Sequence, residues 1–186
     1  MNAVHQNLFY FIDDSILRQN LERVSSHITT LSLLIFSDEY SSAERSSFRK
    51  TIIIHTASQI EALLLWYLKQ HKTEEECAGV ERTFRIDQHI YQLSENERIV
   101  RGSDIMKQQK FKFQNVNLAQ LVHLCGHFEL LSDTMAERVQ EVRKLRNRQH
   151  LGGLATVDHA YSAEDLAFVW EVSEEVLEYV KKQSNA

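Results

Sequence analysis

Between positions 14 and 36, Ile16, Leu17, Leu21, Val24, Ile28, Leu31, Leu34 and Ile35 recur at spacings of three and four. That period places them on one face of an amphipathic helix, for which Asp13 or Asp14 supplies the N-cap. The polar run 37–47, SDEYSSAERSS, interrupts the pattern. From about Ala43 to His71 it resumes with Phe48, Ile52, Ile53, Ala57, Ile60, Leu64, Leu65 and Leu68, a second and longer helix. Two apolar faces joined by a short polar link predict an antiparallel helical hairpin, the usual start of a bundle.

The helical period lapses from Lys72 to Val116. This stretch opens with KTEEE and holds Gly79 and Gly102, and Phe111 and Phe113 alternate with Lys110 and Lys112. A period of two suits a short exposed strand or extended segment, so 73–116 reads as an irregular or extended insertion between helices 2 and 3. Asn117 then caps a short helix, and Ser132 or Asp133 caps another that runs to about His150, with Gly152-Gly153 as its stop. Ser162, followed by Glu164 and Asp165, opens a last helix from Ala163 to Lys182, whose apolar face holds Leu166, Val169, Trp170, Val176, Leu177 and Val180. The expected fold is all-α: a single domain over 1–186, a four- to five-helix up-down bundle carrying that insertion.

Composition sharpens this. The chain of 186 residues has no proline and 5 glycines, against about nine and about 13 at ordinary frequencies. Both residues weaken helix interiors, so their scarcity suits long unbroken helices and excludes turn-rich sandwiches and collagen-like repeats. Motifs for phosphate-binding loops, dinucleotide folds and α/β-hydrolases are missing from the sequence. The net charge of -5 argues against a basic nucleic-acid coat, though not against a local basic site. Cys77 and Cys125 stand far apart with no C-x-x-C, as in a reduced intracellular protein. The start, MNAVHQNLFYFIDD, lacks the features of a secretory signal, and Ile52–Leu68 is interrupted by His55, Gln59 and Glu61. A cytoplasmic protein without membrane association is the expectation.

One segment stands out against the acidic background. From Arg138 to His150 there are five basic residues, Arg138, Arg143, Lys144, Arg146 and Arg148, against one acid, Glu141. On a helix Arg146 and His150 fall at i,i+4 and Arg143 lies one turn earlier, beside the apolar Val139, Val142 and Leu145. An imidazole moves protons near neutral pH and a guanidinium grips phosphate through two donors, so the pair suits phosphodiester chemistry. The same composition also suits plain complementarity with the negative end of a helix dipole. Glu61, set among Ile60, Ala62, Leu63, Leu64 and Leu65, would need a partner if buried, and an arginine of 143–148 is the obvious one; a place on the wet edge of its helix is the alternative.

Other chemistry is thinner. His123 and His127 share a helix face, but Cys125 between them points about 200° away, and two ligands are too few for a structural zinc site. No metal and no cofactor is expected. Phe111, Lys112 and Phe113, with Lys107 and Lys110, mix rings and cations as single-stranded nucleic-acid surfaces do, and equally as an edge strand does.

The run RKLRNRQH, in the context LSDTMAERVQEVRKLRNRQHLGG and followed by an acidic helix, resembles the HEPN family, whose signature is an Arg, four to six residues, then a His. RKTIIIHTASQIEALLLWYL resembles that family's long early helix. The likeness covers about 43–71 and 117–182. It implies an all-α homodimer with motif helices meeting at a shared cleft, and a metal-independent endoribonuclease of toxin–antitoxin or defence systems, acting on RNA and held by a cognate antitoxin or partner protein. Other members have lost catalysis and serve as binding modules. Carried onto this chain, the implied site is Arg143, Arg146 and His150, with Asn147 as a positioning amide. Three residues separate Arg146 from His150 and six separate Arg143 from it, which leaves the phosphate role open between the two arginines.

Overall fold

The computed structural model describes residues 8–78, 80, 82–95, 97–106, 111–148 and 161–184. In chain order its elements are α1 (Ser15–Ile35), α2 (Ser42–His71), α3 (Glu74–Ala78), β1 (Arg82–Gln92), β2 (Arg98–Met106), a 3-10 turn (Phe113–Asn115), α4 (Leu118–His127), α5 (Asp133–Asn147) and α6 (Ala163–Ser184). The protein is mostly helical, with one small two-stranded sheet. It divides into two compact units, one drawn from Met1–Leu68 and Asn117–Ala186 and the other from Lys69–Val116.

Helix starts are fixed by side chains, because a chain without proline has no other strong punctuation. Asp14 accepts from the amides of Ile16 and Leu17. Ser41 and Glu44 exchange bonds at the start of α2, as do Asn117 with Gln120 in α4 and Ser162 with Asp165 in α6. Each is a capping box that satisfies two amides the helix leaves orphaned. Ser132 caps α5 through the Met135 amide. The end of α4 is less ideal: Glu129 takes φ 57 while the amides of Glu129 and Leu130 return to the carbonyls of Gly126 and Cys125. That is a Schellman ending with glutamate where glycine costs least.

In the larger unit α2 is the central helix. Its buried residues, Ile52, Ile53, Thr56, Ala57, Gln59, Ile60, Leu63, Leu64, Trp66, Tyr67 and Leu68, span an arc of about 200° at 100° per residue. By length and composition alone α2 could cross a bilayer, and 61% of that apolar window is buried inside the protein, as in a core helix. Contacts with α1 run in opposite directions along the two helices. The Trp66 indole donates to Asp13 Oδ1 at 2.9 Å, the Gln59 amide donates to Leu21 O and Ser25 Oγ, and the His27 and His55 rings meet edge to face at 5.1 Å. Near the other end of α2, Arg49 Nη1 donates to Tyr161 O and Ser46 Oγ accepts from the Tyr161 amide, which anchors the approach to α6. Buried Val139, Val142 and Leu145 of α5 and Val169, Val172, Val176 and Val180 of α6 complete this core.

His55 makes this core sensitive to pH. Burial first, and the charge of His27 second, hold its pKa below the ordinary 6.5. The unfolded chain therefore binds the proton before the folded one does. Stability is full above about pH 6.5, falls as pH drops through that value and levels once folded His55 protonates. The thermal midpoint of the wild type is expected to fall between about pH 7.5 and 5 and that of His55→Gln to fall less; equal slopes would place the sensitivity elsewhere.

The smaller unit is more ordered than its sequence pattern implies. An antiparallel ladder pairs Arg82 with Met106 through to Gln92 with Arg98, with register breaks between Ile86 and Gln88 and between His89 and Tyr91. Phe111–Phe113 forms no ladder strand among the described residues, although Lys112 keeps the extended backbone its alternation suggests, at φ -137 and ψ 126. Glu74 accepts from the Phe113 amide at 3.0 Å and pairs with Lys112 Nζ at 2.6 Å, and residues 113–115 close into a 3-10 turn. A contact 39 residues apart in sequence decides this conformation over the local period.

Candidate functional site

Ser132 starts α5, and the buried stripe Val139, Val142 and Leu145 fixes which way its polar residues face. Glu141, Lys144 and Asn147 are exposed, while Arg138, Arg143 and Arg146 are half-buried beside the stripe. The helix ends sooner than its sequence suggests. Arg148 is the C-cap and returns its amide to the carbonyls of Lys144, Leu145 and Arg146. Gln149, His150 and Gly152-Gly153 lie outside the described residues. The proposed i,i+4 placement of His150 on Arg146 is therefore not part of the described helix.

Most of the positive charge on α5 is answered within the protein. Arg146 Nη1 lies 2.5 Å from Glu61 Oε2, with side-chain exposures of 28% and 22%, so Glu61 does find its partner in the 143–148 segment. Arg138 sits 3.0 Å from a carboxylate oxygen of Glu171 and of Glu175, and its guanidinium lies 5.4 Å from the centre of the Phe168 ring. Those approaches are ion pairs without hydrogen-bonding alignment. Lys144 pairs with Glu141, and Arg148 Nη1 stands 3.7 Å from Asp165 Oδ1. Arg143 differs. Its Nε donates to the neutral Gln140 Oε1 at 2.6 Å, and it has no carboxylate partner among the described residues. Apart from Glu141, the acids that quench the cluster stand on α2 and α6, far away in sequence. For Glu171 and Glu175 the only signal is their i,i+4 spacing, which sets both against one guanidinium.

The remaining candidates are accounted for in place. His123 and His127 are exposed on α4 while Cys125 between them is fully buried, and the described residues contain no group of three or more metal-ligating side chains. Burial, then the Glu76 carboxylate, pushes the Cys77 thiol up to about 11, which leaves it unreactive near neutrality. In the smaller unit Lys112 is taken by Glu74, and Lys69 lies 5.7 Å from the centre of the Phe113 ring. Lys107 and Lys110 lie outside the described residues.

Comparison with family models, curated proteins and solved structures finds no match to this chain. The likeness to HEPN proteins rests on the sequence motif.

Proposed function

We propose that the chain is a HEPN-like protein that cleaves RNA without a metal, as a homodimer whose larger unit is a four- to five-helix up-down bundle. The observation that carries this reading is the division of labour on α5. Arg146 is tied to Glu61, whereas Arg143, with six residues between it and His150, keeps a guanidinium uncommitted to any described carboxylate. Arg143 then binds the non-bridging oxygens of a phosphodiester and stabilises the charge that grows on them. His150 takes the proton of the 2′-hydroxyl as that oxygen attacks the adjacent phosphorus, the bond to the 5′-oxygen breaks, and the leaving oxygen takes a proton from water, so that a cyclic phosphate and a 5′-hydroxyl result. Asn147, exposed at the last position of α5, positions the strand. A toxin or defence effector in the cytoplasm, restrained by a cognate antitoxin, is the setting that the motif implies.

A specific observation favours a second reading, a non-catalytic module that binds a protein or nucleotide. Four of the five cations on the segment are already paired inside the protein, so little net positive charge is left to gather RNA. Incubating wild type and His150→Ala with labelled total RNA in excess EDTA separates the two. Cleavage by wild type alone supports the nuclease. Cleavage by both removes His150 from the chemistry, and cleavage by neither leaves the binding module.

A further inference from the structure

Away from α5, the larger unit holds a cleft of about 170 Å³ lined by Ser25, Ile28 and Thr29 of α1, Thr56 and Gln59 of α2, and Trp170, Ser173 and Glu174 of α6. Beside the hydroxyls of Ser25 and Ser173 it offers several acceptors whose lone pairs no described donor uses. Gln59 is 7% exposed, and both described bonds of its amide nitrogen go to Leu21 O and Ser25 Oγ, which leaves its carbonyl oxygen as an acceptor. Thr29 spends its hydroxyl proton on Ser25 O and keeps its lone pairs. Thr56 is 2% exposed, and its hydroxyl has no partner among the described residues, an arrangement that costs free energy unless a bound group completes it. Glu174, exposed at the rim, makes no ion pair among the described residues and lines the cleft together with Trp170. One unmatched negative charge, three spare acceptors and an indole describe a receptor for a cation that carries N–H donors.

We propose that this cleft binds a small primary ammonium ion. Its N–H groups reach the Glu174 carboxylate, Gln59 Oε1 and Thr56 Oγ1, and its alkyl chain lies against Ile28 and the Trp170 ring. At about 30 Å³ for each water-sized group, the volume suits about five heavy atoms. This site is independent of the α5 reading, since none of its residues belongs to α5.

Calorimetric titration of the full chain with n-butylammonium chloride, at about 150 mM salt to screen the net charge, tests it. The expected result is saturable one-to-one binding with Kd of about 1 mM, n-butanol at least about tenfold weaker and butyrate silent. Glu174→Gln is expected to weaken binding about tenfold. Thr56→Val is expected to weaken it about threefold while raising the unfolding midpoint of the free protein, because a buried unpartnered hydroxyl is gone. Glu137→Gln, an exposed acid on α5, serves as the control and leaves affinity unchanged. No saturation by about 50 mM, butanol binding as tightly as the ammonium, unaltered affinity in Glu174→Gln or Thr56→Val, or equal weakening by Glu137→Gln would each overturn the proposal.

Discussion

Leu64→Ala is expected to destabilise the protein by about 3 kcal/mol, within the range of roughly 2–5 kcal/mol seen for leucine truncations in rigid cores. Leu64 is fully buried and lies inside the wide arc that α2 keeps from solvent. A helix buried over about 200° is flanked on several sides, so its neighbours cannot all move in to close the space a lost isobutyl group leaves. Ile16→Ala on α1 is the matched contrast. Ile16 is 73% exposed although it keeps the helical period, and its truncation is expected to cost less than about 0.5 kcal/mol. Urea unfolding of both variants, compared at equal denaturant slope, checks the pair. In thermal scans the Leu64 variant should melt roughly 6–12 °C lower. Similar costs at the two positions would mean that α2 is not the centre of the core.

That contrast also marks what periodicity conveys. Spacing predicts α1 over 14–36 and α2 from Ala43, and the helices run Ser15–Ile35 and Ser42–His71. The same spacing gives no sign that α1 buries only Leu21 and Ile35 completely while α2 buries eleven positions. Amphipathicity locates a face, and the number of helices that meet there decides how deeply it is buried. The caps at Asn117 and Ser162 were legible because Asn117 with Gln120 and Ser162 with Asp165 are local pairs at fixed spacing.

The hairpin was not legible for a physical reason. Its register breaks on either side of Asp87 and Ile90 disrupt the alternation a strand should show, and β2 sets Ile99 beside Val100. Alternation at Phe111–Phe113 conveys the extended backbone at Lys112 but not the turn that follows it, which Glu74 holds from outside the segment. At the candidate site, the need of Glu61 for a cation was readable from its apolar neighbours. The pairing of Arg138 with Glu171 and Glu175 was not, because it depends on how α5 and α6 pack.

The two arginines of the motif should respond to substitution in opposite ways. Arg143→Ala is expected to lower RNA cleavage by about 10²–10³-fold while changing stability by less than about 1 kcal/mol, since its described bond is to Gln140 on its own helix. Arg146→Met should instead cost about 1–3 kcal/mol, because it leaves a Glu61 carboxylate that is 22% exposed without its cation. Cleavage by that variant should fall only as far as its folded fraction falls. Adding Glu61→Leu should then restore much of the stability, because the charge that lost its partner is removed along with the partner. The full cycle of Arg146→Met, Glu61→Leu and the double variant, followed by urea unfolding and by cleavage in EDTA, measures both quantities on the same samples. If Arg146→Lys kept the fold and lost cleavage while Arg143→Ala kept both, the phosphate contact would belong to Arg146. Glu61 would then be the group that aims that guanidinium at the scissile phosphate rather than one that withdraws it.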